Sequence, residues 1–315
     1  MKPKIFIDGE AGTTGLQIRQ RLEKHDGVEV VSIDPARRKD VPARAEMINS
    51  ADVVILCLPD DGAREAVSLI TNEAVKVIDA STAHRVADGW TFGFPELTRT
   101  QRKAIAESKR VSNPGCWATG AIALVRPLID AGLLAPDYPV SISGVSGYSG
   151  GGKAMIAEFE NPADPTYTKV PYRIYGLELK HKHLPEMHKW GGLSGNPLFQ
   201  PAVGRYAQGM IVEVPLHLRR WARDVSPQDI HAALADAYAG ERFVQVMSAD
   251  ETRAVKTLAP EALNGTNRMQ LYVFGNADDQ VRLVALFDNL GKGASGAAVQ
   301  NMNIMLGLPE DKGLV

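Results

Sequence analysis

The sequence predicts an α/β fold, a doubly wound parallel sheet into which an α+β domain is inserted. Over the first 117 residues, short apolar runs alternate with segments of helical spacing, a pattern typical of parallel sheets covered by helices. From about residue 118 the segments become longer, more polar and richer in turns, which indicates an α+β domain. The segment 294–308 is rich in small residues and helical in spacing, so we expect it to pack back onto the first domain. The predicted domains are therefore 1–117 with 288–315, and 118–287.

In the first domain, runs rich in β-branched residues predict strands, and apolar residues at helical spacing predict helices. These strands are expected at 4–9, 29–34, 52–59, 76–81 and 110–114, and the helices at 15–25 and 62–74. In the second domain, strands are expected at 140–146, 209–217, 242–248, 268–275 and 281–287, and helices at 118–131, 150–160 and 226–239. The carboxyl ends of the first-domain strands should meet at one edge of the sheet, where open α/β sheets bind ligands.

The composition is that of a globular protein without a nucleic-acid or membrane partner. With 315 residues, 44% of them hydrophobic and 23% charged, the chain can bury the cores of two domains. Lys and Arg total 35 against 37 Asp and Glu, and the formal net charge of -2 supplies no basic field for nucleic acid or anionic lipid. No apolar run reaches the roughly 20 residues that span a bilayer, and no signal-peptide core precedes the first strand. We therefore expect a cytoplasmic protein that acts on a small molecule.

A glycine-rich turn, GEAGTTG, follows the first strand. Gly9, Gly12 and Gly15 are spaced GxxGxxG rather than the GxGxxG of the usual dinucleotide fingerprint, and Thr13 and Thr14 lie between them. Glycines at such a turn let the backbone approach a pyrophosphate, and the free N–H groups of the following helix stabilise the anion. A turn that only closes the strand onto the helix carries the same glycines, so the prediction of a Rossmann-like nucleotide site depends on the strands that follow.

Two arginines follow the second strand, where the adenosine ribose of a dinucleotide should lie. Arg37 and Arg38 can pair with a 2′-phosphate there, which favours NADP over NAD. Asp34, at the end of the strand, points the other way, since an acidic residue at this place usually binds the ribose of NAD. A solvated basic loop is the alternative interpretation.

The two cysteines are too few for a disulfide framework, and neither lies in a CxxC pair. Cys116, in SNPGCWATG, lies between a predicted strand and a predicted helix, at the edge where ligands bind. A helix amino terminus lowers the pKa of a thiol and raises the fraction of nucleophilic thiolate. Cys116 is therefore a candidate nucleophile, with a buried inert cysteine as the alternative. Cys57, inside the apolar VVILCLP, fits the inert type.

Four segments together carry a resemblance to a known family: SNPGCWATG, FGFPEL (92–97), HKHLPE (181–186) and DNLGKGASGAAVQNMN (288–303). The chain resembles the N-acetyl-gamma-glutamyl-phosphate reductases in their shorter form, over nearly its whole length. The related aspartate-semialdehyde dehydrogenases have a similar nucleotide turn, cysteine loop and NLxKGAxG segment, so FGFPEL and HKHLPE discriminate between the two. The chain departs from the family pattern at Thr13-Thr14-Gly15, where YTG is frequent, and at Lys182, where HRH is frequent.

The resemblance implies reduction of N-acetyl-glutamyl phosphate by NADPH to the semialdehyde and inorganic phosphate, a step of arginine biosynthesis, by a homodimer or homotetramer. It implies that a thiolate at Cys116 expels phosphate and forms a thioester, which a hydride then reduces. Aspartate-semialdehyde dehydrogenase is the nearest alternative activity. A nucleotide-binding protein without catalysis is another, although binding alone needs neither the cysteine nor the histidines.

The segment HKHLPE supplies the candidate acid/base. Collapse of the thiohemiacetal needs proton transfer by a group that titrates near neutrality, as histidine does. If the segment is a strand, His181 and His183 lie on one side and Lys182 on the other. We predict His183 as the acid/base, with His181 as the alternative. No metal is expected, because only Glu186 lies near the histidines and no cysteine partners them.

Two further segments are predicted to bind the cofactor. SGYSGGGK (146–153) offers backbone N–H groups, Ser149 and Gly150 to hold phosphate or the nicotinamide amide, although a flexible linker has the same composition. In DNLGKGASG, Asn289 is predicted to hold the carboxamide. Lys292, with the helix start after it, is predicted to attract the nucleotide or the leaving phosphate, with a capped helix as the alternative.

Overall fold

The computed structural model describes residues 1–221, 224–276 and 279–315, and the contacts within it divide the chain into two compact units. The first unit comprises Met1–Pro95, Thr100–Gly115 and Ala294–Val315. The second comprises Glu96–Arg99 and Cys116–Gly293. The predicted boundary lay after residue 117, whereas Cys116 begins the second unit.

The described strands and helices follow each other in an alternating order through the first unit and in a mixed order through the second. The strands are β1 (Lys4–Asp8), β2 (Glu29–Val31), β3 (Val53–Leu56), β4 (Lys76–Asp79), β5 (Thr91–Phe92), β6 (Arg110–Ser112), β7 (Ser141–Gly147), β8 (Tyr172–Ile174), β9 (Leu198–Gly204), β10 (Met210–His217), β11 (Val244–Val246), β12 (Met269–Gly275) and β13 (Gln280–Phe287). The helices are α1 (Thr13–Glu23), α2 (Val41–Ser50), α3 (Asp60–Ser68), α4 (Gln101–Glu107), α5 (Cys116–Asp130), α6 (Gly152–Glu160), α7 (Leu184–Gly191), α8 (Pro227–Ala237), α9 (Ala249–Ala254) and α10 (Gly296–Leu306).

The first unit is built on a parallel sheet of order β2-β1-β3-β4-β6-β5, which confirms the predicted doubly wound architecture. Ile5 and Ile7 of β1 pack with α1 and α10 on one face, and Phe6 packs with α2 and α3 on the other. Both faces of β3 are covered, so Val53–Leu56 is an unbroken apolar run. The chain runs from β1 to β2 on one side and then to β3 on the other. The switch point of the sheet therefore lies between the carboxyl ends of β1 and β3.

The carboxy-terminal helix α10 returns to the first unit, as its small residues predicted. Val299 and Met302 are fully buried against the core of the parallel sheet. Its two asparagines are buried as well, and each donates to a backbone carbonyl. Asn301 Nδ2 donates to the Gly93 carbonyl (2.8 Å), and Asn303 Nδ2 donates to the Lys312 carbonyl (2.8 Å). Asn301 and Asn303 thus anchor Gly93 and the carboxy-terminal tail within this unit.

The second unit contains a mixed sheet of order β11-β12-β13-β10-β7-β9-β8, which confirms the α+β prediction. The pairs β11 with β12 and β7 with β9 are parallel, and the other neighbours are antiparallel. Helix α5 packs against β10, β13, α7 and α8. It approaches the sheet closely at Gly120, where an added Cβ would lie 2.7 Å from the Val212 side chain and 2.8 Å from Phe287. None of the helices in the described part of the chain has the length and apolarity needed to cross a bilayer.

Candidate active site

Cys116 is the first residue of α5, as its position after Pro-Gly predicted, and its side chain is partly exposed. The positive end of the helix dipole stabilises a thiolate at this place. Cys57 is also a free thiol, but it follows β3 and packs against the core of the first unit. Burial, with the nearby charges of Asp79 and Asp8, raises the pKa of the Cys57 thiol to about 12. Both cysteine residues are partly exposed, so the helix start at Cys116 and the raised pKa of Cys57 are what distinguish them. That Cys116 is the nucleophile stays a prediction.

A tyrosine that the sequence did not identify lies beside the cysteine. Trp117 Nε1 donates a hydrogen bond to the Tyr175 hydroxyl (2.9 Å). Burial raises the pKa of Tyr175, and the charge of Cys116 raises it further, so the phenol remains protonated next to a thiolate. A protonated phenol at this position can donate to a developing negative charge.

The two histidines lie close together, but the segment that carries them is not a strand. His181 and Lys182 lie in a turn, and His183 precedes α7 with helical dihedral angles (φ −91°, ψ −8°). The expectation that Lys182 faces away from both histidines across a strand is therefore wrong. Pro185 is well suited to the first turn of a helix and starts α7 immediately after the histidines, which leaves no room for extended backbone.

Local contacts distinguish the two imidazoles. Their ring centroids are 4.7 Å apart and nearly perpendicular (84°). The His183 backbone N–H donates to Nδ1 of His181 (3.1 Å), so His181 carries its proton on Nε2 when neutral. His183 is 5% exposed and is buried at the amino end of α7. The rings of His181 and Trp117 both contact Phe199, at centroid distances of 5.0 and 5.3 Å. Phe199 thus links the histidine turn to the start of α5.

Three of the residues predicted to bind the cofactor form one cluster in the second unit. Asn289 is 1% exposed, accepts from the Gly209 N–H (2.7 Å) and donates to Ser149 Oγ (3.2 Å). Gly150 lies against the same amide, since an added Cβ would be 3.4 Å from Asn289 Nδ2. The structure therefore brings Ser149, Gly150 and Asn289 together.

Lys292 has a contact that the sequence analysis did not foresee. Its ammonium is fully buried and donates to both carboxylate oxygens of Glu96, each at 2.8 Å. That it reaches a nucleotide or phosphate stays a prediction, and in this structure its charge is paired with Glu96 inside the second unit. The next residue, Gly293, packs on the nucleophile: an added Cβ would lie 2.8 Å from Cys116 Cβ. The glycine-lysine-glycine pattern and the glutamate of FGFPEL were the only sequence signals for this arrangement.

The glycine turn in the first unit has the shape of an anion cradle. Gly9 has a left-handed φ of +88°, and a side chain there would overlap the Cys57 carbonyl. An added Cβ at Gly15 would lie 2.6 Å from the Gly9 carbonyl oxygen. Gly12 precedes α1 without a side-chain cap, so the first N–H groups of the helix are open. Thr13 Oγ1 is buried and has no hydrogen-bond partner within the described chain. A pyrophosphate fits these features, because it accepts from backbone and hydroxyl donors.

Arg37 and Arg38 lie at the end of a short helical turn after β2 and are exposed to solvent. Among the side chains of the described residues, Arg37 makes only a long contact, 3.5 Å from its Nη2 to Asp40 Oδ2. Asp34 accepts from the Ala36 N–H (2.9 Å), so one of its oxygens caps the turn. The turn that carries both guanidinium groups thus follows β2, which pairs with β1, the strand that leads into the glycine turn. Among the described residues, no group of three or more His, Cys, Asp or Glu side chains is arranged to hold a metal ion.

Comparisons with known proteins fit both units. A family model described as "Semialdehyde dehydrogenase, NAD binding domain" matches residues 4–105, and one described as "Semialdehyde dehydrogenase, dimerisation domain" matches residues 116–289. An N-acetyl-gamma-glutamyl-phosphate reductase of Brucella suis is 55% identical over 309 residues, 98% of this chain and 100% of the relative. The second reductase of that name from Nostoc sp. is 54% identical and covers 99% of each chain. The chain belongs to the N-acetyl-gamma-glutamyl-phosphate reductase family.

Solved structures of proteins with much lower sequence identity share the fold of this reductase family. Aspartate semialdehyde dehydrogenase II of Vibrio cholerae has a TM-score of 0.72 at 14% identity, over 97% of this chain and 98% of its own. The enzyme of Francisella tularensis has a TM-score of 0.70 at 16% identity, over 97% of this chain and all of its own. At these identities the likeness concerns the fold alone. The matched domains support a nicotinamide nucleotide as cofactor and assembly of this reductase-family chain into an oligomer.

Proposed function

We propose that this chain reduces N-acetyl-γ-glutamyl phosphate to the semialdehyde and inorganic phosphate, as a step of arginine biosynthesis. The observation that carries the proposal is the identity of 54–55% over 98–99% of the chain with reductases of that name. The start of α5 at Cys116, with two histidines and a protonated tyrosine in the same unit, suits the chemistry. Aspartate-semialdehyde dehydrogenase remains the second candidate, favoured by the likeness of fold only.

In this proposal the Cys116 thiolate attacks the γ-carbonyl carbon, and the carbon–oxygen bond to the phosphate breaks. The product is a thioester on the sulfur and free phosphate. When bound, the reduced nicotinamide supplies the hydride for this thioester. Hydride addition leaves an oxyanion, which takes up a proton to give the thiohemiacetal. A base then accepts this hydroxyl proton as the carbon–sulfur bond breaks, which releases the aldehyde and regenerates the Cys116 thiolate.

We propose His183 as the group that accepts and returns this proton, and His181 as its positioning neighbour. The bond from the His183 N–H occupies Nδ1 of His181, so protonation of His181 on that nitrogen would break it. Tyr175, held by Trp117, is suited to donate a hydrogen bond to the oxygen that becomes negative.

We propose NADP rather than NAD as the cofactor. The backbone of Gly9, Gly12 and Gly15, with the Thr13 hydroxyl and Thr14 in the first turn of α1, would hold the pyrophosphate. Arg37 and Arg38 would bind the 2′-phosphate, because both guanidinium groups are exposed. For Ser149, Gly150 and Asn289, contact with the nicotinamide amide stays a prediction, and their cluster supports it.

We further propose that the protein works in the cytoplasm as a homodimer or homotetramer. A reducing compartment suits a mechanism that depends on a free thiol, and both cysteines are free. An exposed apolar surface, which we call the β8 patch, lies on and after the edge strand of the second sheet. It consists of Tyr172, Ile174, Leu177 and Leu179. A second copy of this chain would cover them, since this region belongs to the matched dimerisation domain.

The test is phosphate-dependent reduction of NADP with N-acetylglutamate semialdehyde set beside aspartate semialdehyde. We expect turnover with the acetylated substrate and a kcat/KM at least about 100-fold lower with the other, since it lacks one methylene and the acetyl group. A preference for aspartate semialdehyde would assign the second candidate activity. Nucleotide binding without turnover of either aldehyde would identify a binding protein.

A further inference from the structure

A buried ion pair lies behind the nucleophile and has no part in the chemistry proposed above. Lys292 Nζ is 2.8 Å from both carboxylate oxygens of Glu96, and both side chains are completely removed from solvent. The ammonium lies 5.7 Å from the centroid of the Phe243 ring. The carboxylate is close enough to Tyr238 that its charge, after burial, raises the pKa of that phenol. The pair joins two segments that are 196 residues apart in sequence.

Stability alone does not explain why such a pair is present. Removing two charges from water costs several kcal/mol, and well-packed apolar residues of similar volume often stabilise a protein as much or more. A buried pair does specify geometry, because an ammonium that has one buried acceptor group has one place to lie. The role of this pair therefore depends on which part of the chain it fixes.

Lys292 belongs to the backbone segment that contacts Cys116. Lys292 lies between Gly291 and Gly293, and both glycines approach other chain segments too closely for a side chain. Gly291 lies against the Thr266 carbonyl, and Gly293 lies against Cys116, where an added Cβ would be 2.8 Å from the cysteine Cβ. Since the glycines have no side chains of their own, the lateral position of this backbone depends on the side chain of Lys292.

The start of the same segment is fixed by a second carboxylate. Asp288 Oδ1 accepts from the Leu290 N–H (2.9 Å), and Oδ2 accepts from the Gly265 N–H (2.8 Å). The Gly293 N–H donates to the Asp288 carbonyl (3.0 Å) and closes the turn. Asp288 thus sets the curvature of the turn, and the Lys292–Glu96 pair sets how far it lies from α5.

We propose that Glu96 and Lys292 are positioning residues for Cys116: their buried ion pair holds the Gly291–Gly293 backbone against the cysteine and so fixes the direction of the thiolate. The inference rests on the proposed function for the reaction that the thiolate performs. A shift of about 1 Å at a reacting atom can cost on the order of 100-fold in rate, so the position of this backbone matters for acylation.

The test replaces both charges with apolar side chains of similar length, in the variant Glu96→Leu/Lys292→Met. The matched control is Arg99→Ala/Asp236→Ala, which removes an ion pair from the same short segment. In that pair the nitrogen–oxygen distance is 3.0 Å and both side chains are 77% exposed. Glu96→Gln is measured as well, because it retains the shape and one acceptor oxygen if the double variant does not fold. Melting temperature, NADPH affinity, the rate of the phosphate burst and the rate of Cys116 alkylation by N-ethylmaleimide are measured for each.

We expect the double variant to melt near the wild-type temperature and to bind NADPH normally. Its phosphate burst should slow by about tenfold or more. The rate of alkylation, which needs no aligned carbonyl, should rise at least about threefold because the Gly291–Gly293 backbone no longer shields the thiol. Glu96→Gln should change both rates in the same directions, and the control pair should change neither.

Several results would overturn the inference. One is a folded double variant with wild-type burst and alkylation rates, which would leave the pair a purely structural role. Another is a loss of NADPH affinity with an unchanged burst, which would make Lys292 a nucleotide contact. Absence of a burst in the wild-type protein would count against the proposed function instead, and the alkylation comparison would still decide the positioning role.

Discussion

At the scale of single residues, the two cysteines differ in reactivity because Cys116 starts a helix and burial raises the pKa of Cys57. Cys116→Ser should lower turnover at least about 1000-fold in a folded protein, because a serine hydroxyl is a poor nucleophile without a strong base. Cys57→Ser should keep activity. With its thiol pKa raised to about 12, Cys57 is un-ionised at pH 8, and alkylation of the Cys116→Ser variant should accelerate only as the pH approaches 12. Turnover and mass-spectrometric alkylation profiles check this. More than a few per cent residual activity in Cys116→Ser would contradict the thioester route.

The two histidines differ in their local contacts, because Nδ1 of His181 accepts from the His183 backbone N–H. In His183→Asn, one burst of phosphate per active site should remain, while aldehyde formation slows by about 100-fold or more because thiohemiacetal collapse lacks its proton acceptor. His181→Asn should have the smaller effect, since an asparagine Oδ1 can still accept from the His183 N–H that now bonds to Nδ1. Rapid-quench phosphate release and NADPH oxidation separate the steps. Loss of the burst in His183→Asn would assign it to thiol activation, and a larger defect in His181→Asn would exchange the roles.

Residues whose chemistry depends on local sequence were predictable, and residues defined by distant contacts were not. Cys116 follows Pro-Gly and precedes an apolar run, so its place at a helix start was visible in nine letters. The roles of Glu96 and Gly293 depend on contacts with residues about 180 to 200 positions away in the sequence, and no local sequence pattern encodes such contacts. The contact of Lys292 with Glu96 was missed for the same reason. A lysine between glycines suggests an exposed anion site, whereas its partner buries it.

At the scale of elements, the glycine turn offers a pair of variants that separates folding from binding. Gly9→Ala should destabilise the protein by about 1–3 kcal/mol, because φ is +88° and a Cβ would overlap the Cys57 carbonyl. Gly12 has an ordinary φ of −74°, and a Cβ there would lie 3.3 Å from the Gly9 carbonyl oxygen. Gly12→Ala should therefore fold but bind NADPH more weakly. Thermal melting and nucleotide titration measure the two effects. Unchanged affinity in Gly12→Ala would show that the cradle does not hold the nucleotide.

The turn after β2 is expected to choose between the two nicotinamide nucleotides. Replacing Arg37 and Arg38 by alanine should weaken NADPH binding by about 10- to 100-fold, because two exposed charged contacts to a phosphate are lost, each partly screened by solvent. NADH binding should hardly change. Arg64→Ala, which removes a comparably exposed arginine from α3, serves as the control. Equal losses for both nucleotides would show that these arginines do not contact the 2′-phosphate.

All five strands expected in the second domain exist, as β7, β10, β11, β12 and β13. Strand β9 and helix α2 were not predicted, although they have seven and ten residues. Strand β8 was missed because it has three residues and a mostly exposed sequence at the sheet edge. The strand considered for the HKH segment does not form, since Pro185 favours a helix start more strongly than alternation favours a strand.

At the scale of the whole molecule, the β8 patch carries the last prediction. Tyr172 and Ile174 are 55% and 60% exposed, and Leu177 is 71% exposed, although all three are apolar and lie beside an unpaired strand edge. An edge of this kind is a template for another chain unless something covers it. A second copy does so in our proposal, so Ile174→Asp/Leu177→Asp should dissociate the oligomer while each chain stays folded.

Sedimentation velocity at several protein concentrations measures the change, with circular dichroism as the check on folding. Val41→Asp is the control, because it places the same charge on an exposed apolar residue at the start of α2 in the first unit. The double variant should sediment as a smaller species at concentrations where the wild type and Val41→Asp remain assembled. Two buried carboxylates without partners cost several kcal/mol, which is enough to dissociate an interface of ordinary affinity. If the double variant keeps the wild-type sedimentation coefficient, the oligomer forms through another surface of the chain.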